Sequence, residues 1–351
     1  MTAPTSRRRM TDDPASSPTF SRSETFPPMT PVDSPKRRIL AIVNPVAGQN
    51  DDRDLAVEIR RAIESAGFEC DLQVTRAGGD ALRWAAGATG VDRIIVAGGD
   101  GTVMEAISGL VKNQSEIPLA QIPTGTANLL ARALAVPIDV DDALELALHH
   151  GMMARMDVGY LPGHDRYFAL IAGAGWDAQL IKDASREMKD RLGFLAYVVT
   201  GIKNLFKLKN SRVTMTLDGE TRHFRAHTVM VVNAGEISGT GIAIGPGMSP
   251  HDGTLDVAIL SPRTFAGILR LVFRVLSKRF GSDGELRYFS ASKITIDAKP
   301  PLKLEIDGEY IGSTPFEVEA VPDGVRLLVP ASYAKEKGIR AESPTEQCGT
   351  K

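Results

Sequence analysis

Residues 93–102 read Arg-Ile-Ile-Val-Ala-Gly-Gly-Asp-Gly-Thr, an apolar β-branched run that passes without a break into glycines, an acid and a threonine. Ile94–Val96 reads as a short buried strand, and a helical pattern runs from Thr102 to Val111. Glycine lets a backbone turn sharply and approach a ligand with no Cβ in the way. Successive N–H groups at a helix start suit a phosphate. Asp100 is the odd member, a carboxylate inside an anion cradle. It makes sense if a divalent cation stands between it and phosphate, or if it accepts a proton. The bland alternative is a turn with a helix cap.

Working outward, the same alternation repeats. Strands are expected at Ile39–Val43, Cys70–Thr75 and Leu119–Ile122. Helices are expected at Leu55–Ala66, Asp80–Ala88, Ala127–Ala135 and Val140–His149. Strands alternating with helices imply an α/β domain with a parallel sheet covered on both faces, over residues 36–150. After Gly151 the pattern changes. Met156–Tyr160 and Arg166–Ala172 flank a Pro-Gly-His-Asp turn, and one helical stretch covers about 177–209. Beyond it, strands are separated by Asp218-Gly219, Asp252-Gly253, Asp307-Gly308 and Asp323-Gly324, a β-rich antiparallel second domain over 151–330. Residues 1–35 are rich in Ser, Thr and Pro and read as a disordered tail; 331–351 read as a polar tail.

Composition narrows the class. The chain has 351 residues, 43% hydrophobic and 24% charged, with a net charge of −2. That balance suits a two-domain globular protein and gives no reason to expect a nucleic-acid partner. Two cysteines, Cys70 and Cys348, exclude a disulfide framework and a CxxC zinc site, and fit a reducing compartment. No secretory signal and no apolar span long enough to cross a membrane stands out. The expected location is cytoplasmic.

Two further loops repeat the logic of the first. Pro123-Thr124-Gly125-Thr126-Ala127-Asn128 follows a strand and opens a helix, so that Thr126 could cap the helix and bond a phosphate oxygen. Asn44-Pro45-Val46-Ala47-Gly48 follows the first strand. In an open parallel sheet such loops converge outside the carboxyl ends of the strands, where ligands bind.

NPVAG at 44–48, GGDGTVMEA at 98–106, PTGTANLLAR at 123–132, DGTLDV at 252–257 and LEIDGE at 304–309 together resemble the diacylglycerol kinase catalytic family. That family includes bacterial soluble diacylglycerol kinases, YegS-like lipid kinases, and sphingosine and ceramide kinases. The resemblance runs in order from about Arg37 to Pro330. It implies a two-domain lipid kinase, with a Rossmann-like N-terminal domain like that of NAD kinases, a β-sandwich-like, lipid-binding C-terminal domain, and ATP in the cleft between them. Carried over by position, it implies nucleotide binding by Asn44, Thr75, Gly98, Gly99, Asp100, Gly101, Thr102 and Thr126. Glu309 would accept the proton of the lipid hydroxyl, with Asp100 close to the transferred phosphate and its Mg²⁺; some relatives are described with the GGDG aspartate as base. A second Mg²⁺ would sit at Asp252, with Ser249 and Thr254 around it. Asp177 would approach the lipid headgroup. Met104 stands where relatives often carry Asn.

Other patterns are weighed against these. Gly173-Ala174-Gly175-Trp176-Asp177-Ala178 matches GxGxxA, but no βαβ unit follows, so a dinucleotide site is not expected. Arg270, Arg274 and Lys278 recur on one stripe of Thr264–Phe280, which reads as a surface helix or a membrane-facing one. The expected activity is ATP-dependent phosphorylation of a lipid, most simply diacylglycerol, by a peripheral membrane protein. Sphingosine or ceramide as acceptor, NAD phosphorylation, and a non-catalytic nucleotide- or lipid-binding regulator are the alternatives, and a homodimer is left open.

Overall fold

The structure, a computed structural model, describes residues 37–46, 54–175, 210–237, 242–262, 267, 273–274, 285–307 and 309–339. The expected tail at 1–35, Ala47 and Gly48, the helical stretch at 177–209 with Asp177, and most of the stripe at 264–280 lie outside the described residues.

Four parallel strands form the N-terminal sheet in the order β2-β1-β3-β4: β1 (Arg38–Val43), β2 (Glu69–Val74), β3 (Arg93–Gly98) and β4 (Leu119–Pro123). Alternate residues of the central strands enter two different cores. Leu40, Ile42, Ile94 and Val96 pack with helices α2 (Asp80–Ala86) and α3 (Asp100–Lys112). Ile39, Ala41, Val43, Ile95 and Ala97 pack with α1 (Leu55–Ser65) and α5 (Val140–Glu145). Burial on both faces is why these strands read as continuous apolar runs. α1 starts where the Asp54 carboxylate accepts the Val57 N–H, and it buries Ile59 and Ile63.

The sheet does not end with the parallel strands. β18 (Phe316–Val329), the last strand among the described residues, lies parallel beside β4 and carries the sheet on through β15 (Lys293–Lys299), β8 (Ser211–Leu217) and β9 (Glu220–Ala226). β5 (Met152–Leu161) runs antiparallel along β18 and holds β6 (Arg166–Phe168). A second sheet is antiparallel, in the order β14-β13-β10-β7-β16-β17. Its strands are β7 (Ile171–Ala174), β10 (Thr228–Val232), β13 (Leu255–Leu260), β14 (Leu286–Ala291), β16 (Lys303–Ile306) and β17 (Glu309–Ser313). Val213, Met215, Ile294, Ile296 and Val318 of the long sheet meet Val229, Val231, Val257, Leu304 and Ile306 of the second in one buried cluster. The C-terminal part is therefore a β-sandwich.

Three local expectations change. Arg166–Ala172, read as one strand, is split between the two sheets as β6 and β7. The buried Asn233 accounts for the break, because its amide donates to Asp157 O and Ala169 O while its N–H donates to Leu170 O. Carbonyls that leave a sheet need such partners. The Asp-Gly pairs also diverge. Asp218-Gly219 turns between β8 and β9 with both φ positive, and Asp307 leads from β16 toward β17. Asp323-Gly324 instead sits inside β18, where the pairing with β5 shifts register, and Asp252-Gly253 lies in the loop ahead of β13. Finally, the tail expected from 331 begins as helix α6 (Ala331–Lys337), anchored by Tyr333, which is 1% exposed.

Candidate active site

Parallel strands place all their carboxyl ends on one edge, so the loops after β1, β2, β3 and β4 meet there. Asn44, at the end of β1, donates its N–H to Ala97 O and its amide to Thr102 Oγ1 at 2.9 Å, while its Oδ1 accepts the Val46 N–H. It thereby fixes the start of α3. Thr75, half-buried at the end of β2, donates its N–H to Val43 O. The turn after it is closed by Asp80, whose carboxylate accepts the N–H groups of Arg76 and Ala77. Those two bonds hold the Asp80 carboxyl below its ordinary range.

The two glycine-rich loops touch backbone to backbone. A Cβ on Gly125 would stand 2.5 Å from Gly99 Cα, and one on Gly98 would stand 2.7 Å from Thr102 Cβ. Asp100 opens α3, and its Oδ1 accepts the Leu130 N–H at 3.1 Å, in the first turn of α4 (Leu129–Ala133). That corrects the expectation that Thr126 caps this helix. The helix starts after Asn128, which takes a left-handed conformation (φ 48°) and clamps Gly125 through both ends of its amide. Thr126 is left exposed ahead of it. The Thr124 hydroxyl oxygen is buried with no hydrogen-bond partner, a donor the protein does not satisfy. Met104 packs against the first core, so its side chain contributes apolar contact and no polar group.

A second set of carboxylates comes from the sandwich. The Asp307 N–H donates to Ile171 O, and its Oδ1 accepts the Ile171 N–H. Loss of hydrating water, and then the charge of Asp100, push its carboxyl up, against the hydrogen bond from Ile171 and the opposing pull of Arg166. The residue is exposed to solvent, at the end of β16. The effect of Asp100 on Asp307 puts the two carboxylates, from the GGDG loop and the end of β16, within electrostatic range of each other. Glu309, exposed beside them, has Oε2 held by Arg166 at 2.6 Å, which leaves Oε1 available.

Near the expected second cation site, Asp252 Oδ1 accepts both the N–H and the hydroxyl of Thr254. Burial, and then the Asp252 charge, push the Asp256 carboxyl up to about 6. Asp157, buried on β5, holds the loop from below by accepting the N–H groups of Gly253 and Asp323. Negative charge gathered in this way fits a cation. Among the described residues no cluster of three or more His, Cys, Asp or Glu forms a ligand set, so a cation here would keep several waters, as Mg²⁺ does. Ser249 is half-buried in the same loop region.

The fold agrees with what the chain resembles. Residues 38–161 match the diacylglycerol kinase catalytic domain, and residues 171–329 match the YegS C-terminal NAD kinase beta sandwich-like domain. The chain is 30% identical over 304 residues to the diacylglycerol kinase of Bacillus subtilis (strain 168), covering 86% of this chain and 99% of that one. It is 30% identical over 310 residues to a "probable lipid kinase YegS-like" of Pseudomonas fluorescens, covering 87% and 99%. A solved structure of a diacylglycerol kinase from Bacillus anthracis strain Sterne superposes with a TM-score of 0.67 at 26% identity, covering 86% and 99%. The chain belongs to the diacylglycerol kinase catalytic-domain family of lipid kinases.

Sequence reading did not single out Asp157, Arg166 or Asp307 as site residues. Asp157 had a signal, a lone carboxylate between Met156 and Val158 in a strand pattern. Asp307 had one too, inside the motif that supplied Glu309. Arg166 had none, because its role depends on a strand pairing far away in sequence.

Proposed function

We propose that this protein transfers the γ-phosphoryl group of ATP to the hydroxyl of diacylglycerol, giving phosphatidic acid and ADP. The observation that carries this reading is the convergence of two acidic motifs: the charge of Asp100 from the parallel sheet acts on Asp307 of the sandwich, and Arg166, which also acts on Asp307, binds Glu309. The N–H groups at the start of α3, with Gly98, Gly99, Gly101 and Thr102, cradle the phosphates, and the unsatisfied Thr124 hydroxyl and exposed Thr126 add donors. Asn44 and Thr75 set the edge against which the nucleotide lies. Glu309 Oε1 accepts the proton of the lipid hydroxyl as that oxygen bonds to the γ-phosphorus and the bond to the β-phosphate bridging oxygen breaks. Arg166 holds Glu309 in place during this step.

Mg²⁺, near Asp100 and at Asp252 with Ser249 and Thr254, would supply charge neutralisation for the transferring phosphoryl group. Asp177 is proposed to approach the headgroup, and the protein to work at a membrane surface. The supporting test is transfer of labelled phosphate from ATP, with Mg²⁺, to diacylglycerol, ceramide, sphingosine or monoacylglycerol in neutral-detergent micelles, with NAD in parallel. Label in diacylglycerol, lost in Glu309→Gln, supports the reading. Label confined to another lipid changes the acceptor, and label only in NAD, or in nothing, rejects it.

A further inference from the structure

The outer face of the antiparallel half of the long sheet carries a row of cations that the chemistry above does not use. Lys299 on β15 stands directly opposite Arg212 on β8, and Arg212 directly opposite Arg225 on β9. Residues directly opposite in an antiparallel pair share a face. With neighbouring strands about 4.8 Å apart, three positive charges lie in a line about 10 Å long. All three side chains are exposed, and none forms an ion pair among the described residues. Like charges placed directly opposite destabilise a sheet. Here the juxtaposition occurs twice in succession.

The other end of the same face shows how this sheet treats a cation that serves only structure. Lys293 on β15 is bound by Glu317 at 2.5 Å and Glu319 at 2.8 Å, both on β18. Along β15, then, one lysine is doubly neutralised and the other faces only arginine. The acid nearest the row on this face, Asp297, lies opposite Thr214 rather than opposite a cation. Beside the row, Arg212, Arg225, Arg287 and His223 line a groove of about 500 Å³. Arg287 reaches it from β14 of the other sheet, lying over the Phe224 ring. The terminal strands of the two sheets among the described residues, β9 and β14, thus contribute positive charge to one surface.

We propose that this face, centred on Arg212, Arg225 and Lys299, docks the protein on an anionic phospholipid bilayer, with lipid phosphates occupying the row and the groove. Charge complementarity argues for an anionic partner. The choice of a bilayer over other polyanions rests on the lipid-kinase reading. Basic side chains at an anionic leaflet act together and are screened by salt. The row is a surface for holding the protein at the membrane, separate from the residues that handle nucleotide.

The test is sedimentation of the full chain with vesicles of phosphatidylcholine alone or with 30 mol% phosphatidylglycerol as the probe, a mixture of about that charge being ordinary for anionic leaflets. The comparison is between the wild type, the Arg212→Gln/Arg225→Gln/Lys299→Gln variant, and Lys293→Gln. Binding to the charged vesicles is expected to fall roughly a hundredfold in the triple variant and to stay unchanged in Lys293→Gln. Binding to neutral vesicles should be the same for all three. An unchanged thermal midpoint would show that the triple variant folds. Equal loss in Lys293→Gln, or undiminished binding by the folded triple variant, would overturn the proposal. Tighter, variant-sensitive binding to duplex DNA than to the charged vesicles would overturn it as well. Phosphate transfer in neutral micelles is measured separately. If vesicle binding depends on the row while no lipid is phosphorylated, the docking surface stands and the kinase reading fails; the reverse pattern leaves the kinase reading and removes the surface.

Discussion

The parallel and antiparallel halves of the long sheet handle their chemistry in opposite ways. In the parallel half every candidate ligand group sits at a strand end, because Asn44, Thr75, Gly98 and Thr124 all leave their strands at the same edge. In the antiparallel half successive turns point to opposite ends, and charge gathers on faces: Lys293 with its glutamates, or Lys299 with its arginines. A parallel sheet therefore collects distant loops by direction alone, whereas an antiparallel one needs the register before any two residues are known to be neighbours.

Substitutions in the two halves sharpen this contrast. The largest effect is expected from Asp100→Asn, which keeps an oxygen acceptor for the Leu130 N–H but removes the charge. Phosphate transfer should fall by about three orders of magnitude with little change in melting temperature, read by kinetics and calorimetry. Glu309→Gln should cost roughly a hundredfold or more in turnover while ATP binding by titration calorimetry is retained. A variant with normal turnover would move the base elsewhere. Gly125→Ala forces the two phosphate loops apart and should destabilise the fold by about 1–3 kcal/mol in urea unfolding while weakening nucleotide binding.

A smaller effect tests the packing of α6 on the sandwich. His251 lies between Arg155 O, 2.6 Å from Nδ1, and the Tyr333 hydroxyl, 3.0 Å from Nε2. A carbonyl only accepts, so Nδ1 carries the hydrogen and Nε2 accepts from Tyr333 in the neutral ring. Burial lowers the His251 pKa below 6.5. The unfolded chain then binds its proton at higher pH than the folded one, so the stability is fully present above pH 6.5 and is lost as pH falls below it. In His251→Gln, the slope of stability against pH between about 7 and 5 should flatten, measured by urea midpoints across that range.

How far the sequence reached follows the same division. The GGDG and PTGTAN loops were legible because each is local: an apolar strand, glycines and a helix start within about a dozen residues. The four Asp-Gly pairs look identical in sequence, yet they became a hairpin turn, the start of another connection, a bulge and a loop anchored on Asp157. Three of the four share a local conformation, since Asp218, Asp307 and Asp323 have positive φ, so the difference among those three comes from what each packs against. Arg166 and Glu309 are 143 residues apart, and nothing near either one announces the other.

By itself the sequence determined the alternation of buried strands and helices, and the glycine-rich loops at the strand ends. Both depend on hydrophobic period and on backbone freedom at glycine, which act over a few residues. Only the tertiary structure decided that β18 returns to continue the sheet begun by β1–β4, that Asp100 caps α4 and raises Asp307, and that Lys299, Arg212 and Arg225 stand in one row. Each of these rests on pairing between distant segments, where a shift of one residue would turn every side chain to the other face.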